Sequence, residues 1–434
     1  MAFSKIESVH FIGIGGIGMS AIARMFLVDG KKVSGSDLAD SEIVEALRKE
    51  GAEISIGQTL SVVPKNVDLI IYSVAIQVAD PKHFNALKKL KIPLLSYAEA
   101  LGEISRGKFT IAVSGTHGKT TTTAMLAKIL IDAGLSPSVI IGSLMRHPKT
   151  GAQTNFIRGE RDYFVVEADE YQRNFLTLSP NLLVITNIDE DHLDYYRDID
   201  DICSAFSELA KRLPLSGAII TDFSDPRAAR VVKEAGRRAL DYQSFAKPIA
   251  LQLPGLHNLH NARAALAAAA ALGVSSAKAT AFLADFDGVW RRFEQKGVLQ
   301  SGALLYDDYA HNPRKVEALL LGAKEFFAGK RIVAVFQPHL YSRTKTLFNG
   351  FAKAFGNADE IIVSPIFPAR EPFDASVSSK MLAEAIGKRE RGKKVRCMNS
   401  FEAIAKYLRA HSGAGDVIIT IGAGDIYKVA DMIR

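Results

Sequence analysis

The segment Ser114-Gly115-Thr116-His117-Gly118-Lys119-Thr120 follows directly on an apolar run, Phe109–Val113, and opens a stretch of helical spacing from Thr121 to Ala133. Strand, glycine-bearing loop and helix in immediate succession belong to a parallel α/β sheet. In that geometry the loop N–H groups and the first helical turn converge on one point and hold an anion there. Lys119 is then placed to reach the β- and γ-phosphates of a nucleotide, and Thr120 to hold Mg²⁺. The usual spacing of such a loop asks for Gly at 113, where this chain has Val113.

The same α/β pattern runs through all 434 residues, because short apolar runs alternate with amphipathic stretches. At about 100–200 residues per domain, three units are the natural division. The first series predicts strands near Val9–Ile12, Lys32–Ser34, Glu53–Ile56, Leu69–Tyr72 and Pro93–Leu95, and closes at the Ser105–Lys108 loop. A second predicts Phe109–Val113, Tyr163–Val166 and Leu182–Thr186, and ends in an Ala-rich helix and the segment Gly288–Lys296. A third predicts Ala303–Tyr306, Arg331–Phe336, Glu360–Val363 and Asp416–Thr420. A hydrophobic fraction of 48% with 23% charged residues excludes a disordered or collagen-like chain.

Lys plus Arg exceed Asp plus Glu by 7, which suits small anionic ligands, and no concentrated basic stripe points to nucleic acid. The densest basic run, Lys388 to Arg396, reads as a solvated helix-to-strand turn. Cys203 and Cys397 make neither a disulfide framework nor a metal-type spacing, which fits a reducing compartment. No apolar run approaches the roughly 20 residues of a membrane span, and the N-terminus lacks a signal peptide's apolar core. The expectation is a cytoplasmic protein without membrane insertion.

Further motifs stand at predicted strand ends, where open parallel sheets bind ligands. Gly13-Ile14-Gly15-Gly16-Ile17-Gly18 follows the first strand and opens a helix, with Asp37 nineteen residues beyond Gly18, where an acidic group meets a ribose. A diphosphate ligand is the favoured reading, NAD(P) the minor one. Glu167-Ala168-Asp169-Glu170 and Asn187-Ile188-Asp189-Glu190-Asp191-His192 end two adjacent strands, where carboxylate and imidazole can hold a divalent metal around phosphates. Asn258 and Asn261, at i and i+3, can bracket a base or ribose, or cap the helix. Of Arg291 and Arg292, one can supply a charge-stabilising guanidinium, or both can be surface charge. Asp307-Asp308-Tyr309-Ala310-His311-Asn312-Pro313 and Phe336-Gln337-Pro338-His339-Leu340-Tyr341-Ser342-Arg343-Thr344 follow two strands of the third series.

In this order HFIGIGGIGMS, SGTHGKTTTT, VVEADE, TNIDEDHLD, LPGLHNLHNA, RRFE, DDYAHNP, FQPHLYSRT, FPARE and GAGDI run almost end to end. The chain thereby resembles the Mur ligase family, ATP-dependent amide-forming enzymes of peptidoglycan synthesis, and is most similar to its alanine-adding branch. The family's loop also lacks the first Gly, as Val113 does here. The resemblance implies an N-terminal Rossmann-like UDP-sugar-binding domain (1–107), a central P-loop ATPase-like domain with a parallel or mixed sheet (108–295) and a C-terminal Rossmann-like domain (296–434).

It implies UDP-sugar contacts at Gly15, Gly16, Gly18, Met19, Asp37, Ser73, Ala75 and Ile76. ATP contacts are implied at Gly115, Thr116, His117, Gly118, Lys119, Thr120, Thr121, Asn258, Asn261, Arg292 and Asp308. Thr120, Glu167 and His192 would hold Mg²⁺, with Mn²⁺ able to take its place. Lys119, Glu167, His192 and Arg292 would carry the chemistry. His311 and Arg343 would meet the incoming L-alanine, Arg343 at its carboxylate. The implied reaction joins L-alanine to the lactyl carboxylate of UDP-N-acetylmuramate through an acyl phosphate. The near alternative is the relative that reattaches a recycled murein tripeptide to the same acceptor. Two departures accompany the match: Leu340 replaces a second basic residue after His339, and Tyr171-Gln172 follows EADE where many alanine-adding members have Ser-Asp.

Overall fold

A computed structural model describes residues 3–148, 150–193, 195–245, 249–369 and 371–434 and places three α/β sheets along the chain. The first contains β1 (Ser8–Ile12), β2 (Lys32–Asp37), β3 (Glu53–Ile56), β4 (Leu69–Tyr72) and β5 (Leu94–Ser96), all parallel, in the order β3-β2-β1-β4-β5. β1 is central and covered on both faces, so Val9, His10, Phe11 and Ile12 are all buried, with His10 Nδ1 hydrogen-bonded to Ser34 Oγ at 2.8 Å. Helix α1 (Ile17–Val28) leaves the glycine loop with Gly16 at its N-cap. Helix α2 (Tyr97–Ser105) follows β5, fixed by a capping box between Ser96 and Glu99.

The second sheet contains β6 (Phe109–Ser114), β7 (Ser138–Arg146), β8 (Gln153–Ile157), β9 (Tyr163–Glu167), β10 (Leu182–Ile185), β11 (Ala218–Thr221) and β12 (Arg238–Asp241). Their order is β12-β11-β10-β6-β9-β7-β8, parallel except for the β7–β8 pair. Helix α3 (Lys119–Asp132) follows β6 and is buried nearly all round, as a sequence made mostly of Thr, Ala, Ile and Leu permits. The first two sheets form one compact unit, Met1–Ala250 with His260–Phe286. Phe26 of α1, Leu101 of α2, Phe156 of β8 and Phe175 belong to the same apolar core.

A polar network is buried in that core. Asn155 of β8 donates through Nδ2 to the Ile17 carbonyl (2.6 Å) and Ser20 Oγ (2.8 Å), and accepts from Arg24 Nη1 (2.5 Å). Arg24 also donates to Glu50. The first turn of α1 is therefore held from a strand of the second sheet.

The second compact unit, Leu251–Leu259 with Asp287–Arg434, carries the third sheet. Its strands are β13 (Glu294–Val298), β14 (Leu304–Asp308), β15 (Arg331–Phe336), β16 (Glu360–Val363), β17 (Lys394–Cys397) and β18 (Asp416–Ile421), in the order β13-β14-β18-β15-β16-β17. Only the β13–β14 pair is antiparallel. Glu294 pairs with Asp307, so this sheet begins within the Gly288–Lys296 segment. Among the described residues no helix is long and apolar enough to cross a membrane.

Candidate active site

In the first unit the loop after β6 takes the shape its glycines permit. Gly115 has φ +125° and Gly118 φ +84°. A Cβ at Gly115 would stand 2.1 Å from Thr186 Oγ1, and one at Gly118 2.1 Å from Asn261 Oδ1. Thr116 is locked to the β10 end by its hydroxyl, which accepts from Asp189 N at 2.8 Å. The His117 N–H donates to Asn187 Oδ1 at 3.0 Å. Thr121 is buried in the first turn of α3.

Lys119 Nζ lies 2.7 Å from Glu170 Oε2 and 2.7 Å from the Gly115 carbonyl. Burial alone would depress this ammonium, but the Glu170 and Asp169 carboxylates outweigh it and hold it above its usual range. Thr120 Oγ1 donates to Glu167 Oε1 at 2.8 Å, while Glu167 Oε2 accepts the Gly142 N–H at 2.8 Å. His192, held at φ +55°, brings Nε2 to 3.9 Å from Glu170 Oε1. One ligand atom each from Asp169, Glu170 and His192 lie within 4.8 Å of one another. Two carboxylates and an imidazole at that separation fit a hard divalent cation. The expected trio thus appears as two pairings, Thr120 with Glu167 and His192 with Glu170 and Asp169. The last two stand in the EADE string, but nothing local ranks its three carboxylates.

The earlier glycine loop lies against α1. The Gly15 N–H donates to Asp37 Oδ2 (2.8 Å), and the other Asp37 oxygen accepts from Leu38 N (2.7 Å). Asp37 therefore clasps the loop itself. A Cβ at Gly13 would come 3.2 Å from Ser73 Cβ, which places the end of β4 beside the loop. Gly16 caps α1, and Gly18 sits under the ring of Tyr97. Ala75 opens a short helix, Ala75–Ala79. The Met19 and Ile76 side chains are buried among apolar neighbours. Asn261 is buried with its Oδ1 3.3 Å from Thr122 Oγ1.

In the second unit Asn258 Nδ2 donates to the Pro254 carbonyl at 2.7 Å, a tie within its own helix start. The two adjacent arginines separate completely. Arg291, 4% exposed, donates to Asp307 Oδ2 (2.9 Å), Gly424 O (2.7 Å) and Gly422 O (2.5 Å). Arg292 is half-buried with its guanidinium carbon 4.9 Å from the Tyr309 ring centre. Asp308 accepts from Phe293 N and Ala310 N, both at 2.8 Å, and burial raises its carboxyl although Arg292 pulls it back.

His311 Nδ1 donates to the Tyr309 carbonyl at 2.9 Å; burial, with Lys315 next, lowers its pKa to about 3. Arg343 Nη1 donates to His339 Nδ1 at 3.1 Å, and His339 is lowered to about 4 by burial and by Arg343. His339 also stacks on Phe367, centroids 5.5 Å apart. A residue inside the FQPH string thus orients the arginine four positions on, a role its spacing on a strand-to-helix turn did not reveal.

Three family descriptions match consecutive stretches: Mur ligase family, catalytic domain, over residues 8–109; Mur ligase middle domain over 113–247; and Mur ligase, glutamate ligase domain, over 291–424. The chain belongs to the Mur ligase family. The UDP-N-acetylmuramate–L-alanine ligase of Clostridium kluyveri is 41% identical to this Mur ligase, over 99% of this chain and 98% of its own. The protein of the same name from Caldanaerobacter subterraneus is 39% identical, over 98% and 97%. The crystal structure of UDP-N-acetylmuramate–alanine ligase from Thermotoga maritima matches with a TM-score of 0.80 and 30% identity, over 98% of both chains. In this Mur ligase the loop after β6, its lysine and the adjacent carboxylates can bind a nucleotide's phosphates and a divalent ion. Within the second unit, Arg292 lies over the Tyr309 ring and beside Asp308, and Arg343 is oriented by His339.

Proposed function

We propose that this Mur ligase joins L-alanine to the lactyl carboxylate of UDP-N-acetylmuramate at the expense of ATP, as a step of peptidoglycan precursor synthesis. The observation that carries the reading is end-to-end similarity, at 39–41% identity, to relatives named for that reaction. The geometry is consistent with it. A carboxylate resists attack by an amine until its oxygen becomes a leaving group. Transfer of the γ-phosphoryl group makes it an acyl phosphate, which demands positioning and charge neutralisation more than covalent help.

Lys119 at the loop and Arg292 in the second unit supply positive charge for that transfer. Mg²⁺, held by oxygens and nitrogen drawn from Thr120, Glu167, Asp169, Glu170 and His192, would neutralise the phosphates. The residues from Gly115 to Thr121 cradle the phosphates, with Asn258, Asn261 and Asp308 assigned to the rest of the nucleotide. The glycine loop, with Asp37 shaping it and Ser73 and Ala75 beside it, takes the UDP-sugar. Arg343, oriented by His339, receives the carboxylate of alanine. The alanine ammonium must lose a proton before it attacks. His311, with a pKa near 3, is too weak a base for that step. These assignments give the 1–107 segment to the UDP-sugar, 108–295 to ATP, and 296–434 to the amino acid and, through Asp308, to closing over ATP.

Tyr171 favours one second reading. It follows EADE as in the tripeptide-adding relatives, and its ring centre lies 4.7 Å from that of His192. The test measures phosphate release from ATP and Mg²⁺ with UDP-N-acetylmuramate and either L-alanine or L-alanyl-γ-D-glutamyl-meso-diaminopimelate. Release dependent on L-alanine is expected. Release with the tripeptide alone would overturn the proposal.

A further inference from the structure

Tyr97 lies over the start of α1 in the first unit and has no part in the site described above. Its ring covers Gly18: a Cβ there would meet Tyr97 Cζ at 2.6 Å and the hydroxyl oxygen at 2.8 Å. Gly18 is the second residue of α1, so the hydroxyl lies beside the first-turn N–H groups that have no acceptor within the helix. The Ser96–Glu99 capping box fixes the backbone that carries it. The residue is half-buried, and among the described residues no hydrogen bond reaches its hydroxyl.

A ring wanted only as a cover for Gly18 needs no hydroxyl. An unpaired O–H beside the first-turn N–H groups of a helix matches an anion arriving at that helix end. We infer that the Tyr97 hydroxyl binds the substrate, donating a hydrogen bond to the diphosphate of the UDP-sugar where it rests on the first turn of α1. The inference rests on the functional reading above, since it supposes a UDP-linked acid as substrate. It also gives Gly18 a second reason to lack a side chain, because any Cβ would displace the donor.

The test is Tyr97→Phe, which keeps the ring and removes only the O–H. Titration calorimetry measures UDP and UDP-N-acetylmuramate, steady-state kinetics the KM for ATP, and thermal melting the fold. A hydrogen bond to an anion is lost, so affinity for both UDP ligands should fall about tenfold to a hundredfold. The KM for ATP and the melting temperature should stay at wild-type values. Unchanged affinity for UDP overturns the inference, and so does a loss confined to UDP-N-acetylmuramate, which would place the contact at the sugar end. A parallel loss in ATP binding or melting temperature also overturns it, by making the hydroxyl structural. Wild-type enzyme that fails to turn over UDP-N-acetylmuramate would instead sink the functional reading.

Discussion

Replacing Arg291 with alanine should destabilise the second unit severely, whereas the same change at Arg292 should spare its stability and remove turnover. The Arg291 side chain is 5% exposed and that of Asp307 0%. Besides Asp307, the guanidinium serves the carbonyls of Gly422 and Gly424 and lies 4.7 Å from the Tyr427 ring centre. Removing one partner of a buried ion pair costs about 3–5 kcal/mol, because the other charge is left stranded. The two carbonyls lose charged donors as well, but losses that share one side chain do not add. Against a domain stability of about 5–15 kcal/mol, the stranded carboxylate alone is a large fraction.

The sign of the pH dependence follows from Asp307. Burial already raises its carboxyl while Arg291 pulls it back; without the guanidinium it rises further. An acid whose folded pKa exceeds its unfolded value, near 3.9, favours folding most below that value and least above the folded pKa. The deficit of the variant should therefore shrink as the solution is acidified. Trp290, the chain's single tryptophan, adjoins the site and reports urea unfolding of this unit by fluorescence. A loss below about 1 kcal/mol at neutral pH, or one that does not shrink on acidification, would refute the reasoning. For Arg292→Ala the midpoint should barely move, since a cation–π contact is worth about 0.5–1 kcal/mol at sites that are not fully buried. Turnover should fall on the order of a thousandfold, the scale set by charge-stabilising arginines in phosphoryl transfer.

Lys119→Ala should abolish ADP formation while leaving UDP-sugar affinity near wild type, because the lysine sits on the loop after β6; comparable loss of both would separate the loop from its assigned role. Asn155→Ala should cost about 1–3 kcal/mol in thermal unfolding, since the buried Arg24 and the Ser20 hydroxyl lose a partner; no change would show the network to be dispensable. Arg343→Ala should raise the KM for alanine far more than that for ATP, and equal effects would remove it from the amino-acid site. With His311 near 3 and His339 near 4, both imidazoles are neutral through the ordinary histidine range of about pH 5–8. The KM for alanine should then show no inflection there that His339→Asn removes; such an inflection would contradict the buried environment of His339.

The strands anticipated from apolar runs are mostly those covered on both faces, such as β1, β6, β10, β15 and β18, where burial favours apolar side chains. The runs at β8, β12, β13 and β17 escaped that reading. All four are sheet edges, with sequences such as Arg-Ala-Leu-Asp and Lys-Val-Arg-Cys, and they are strands because a neighbour's backbone pairs with them. Two inner strands, β7 and β11, were also missed: Gly142 interrupts the first, and the second is four residues long.

The phosphate loop was legible for a local reason. Strand, Gly115, Gly118, Lys119 and Thr120 are contiguous, and their geometry follows from one turn whose φ values glycine alone accepts without strain. Collinear motifs likewise disclosed the family and the order of the domains. The division of labour within each motif was decided by tertiary structure. Arg291 and Arg292 are chemically identical neighbours, yet Asp307 and the Gly422 and Gly424 carbonyls, remote in sequence, claim the first and leave the second available. Glu167 and Glu170 differ in the same way, one meeting Thr120 and the other Lys119. Tyr97 carried no signal at all in the string. Like charges and like hydroxyls acquire different roles through desolvation and through partners brought from distant segments, and neither quantity exists until the chain has folded.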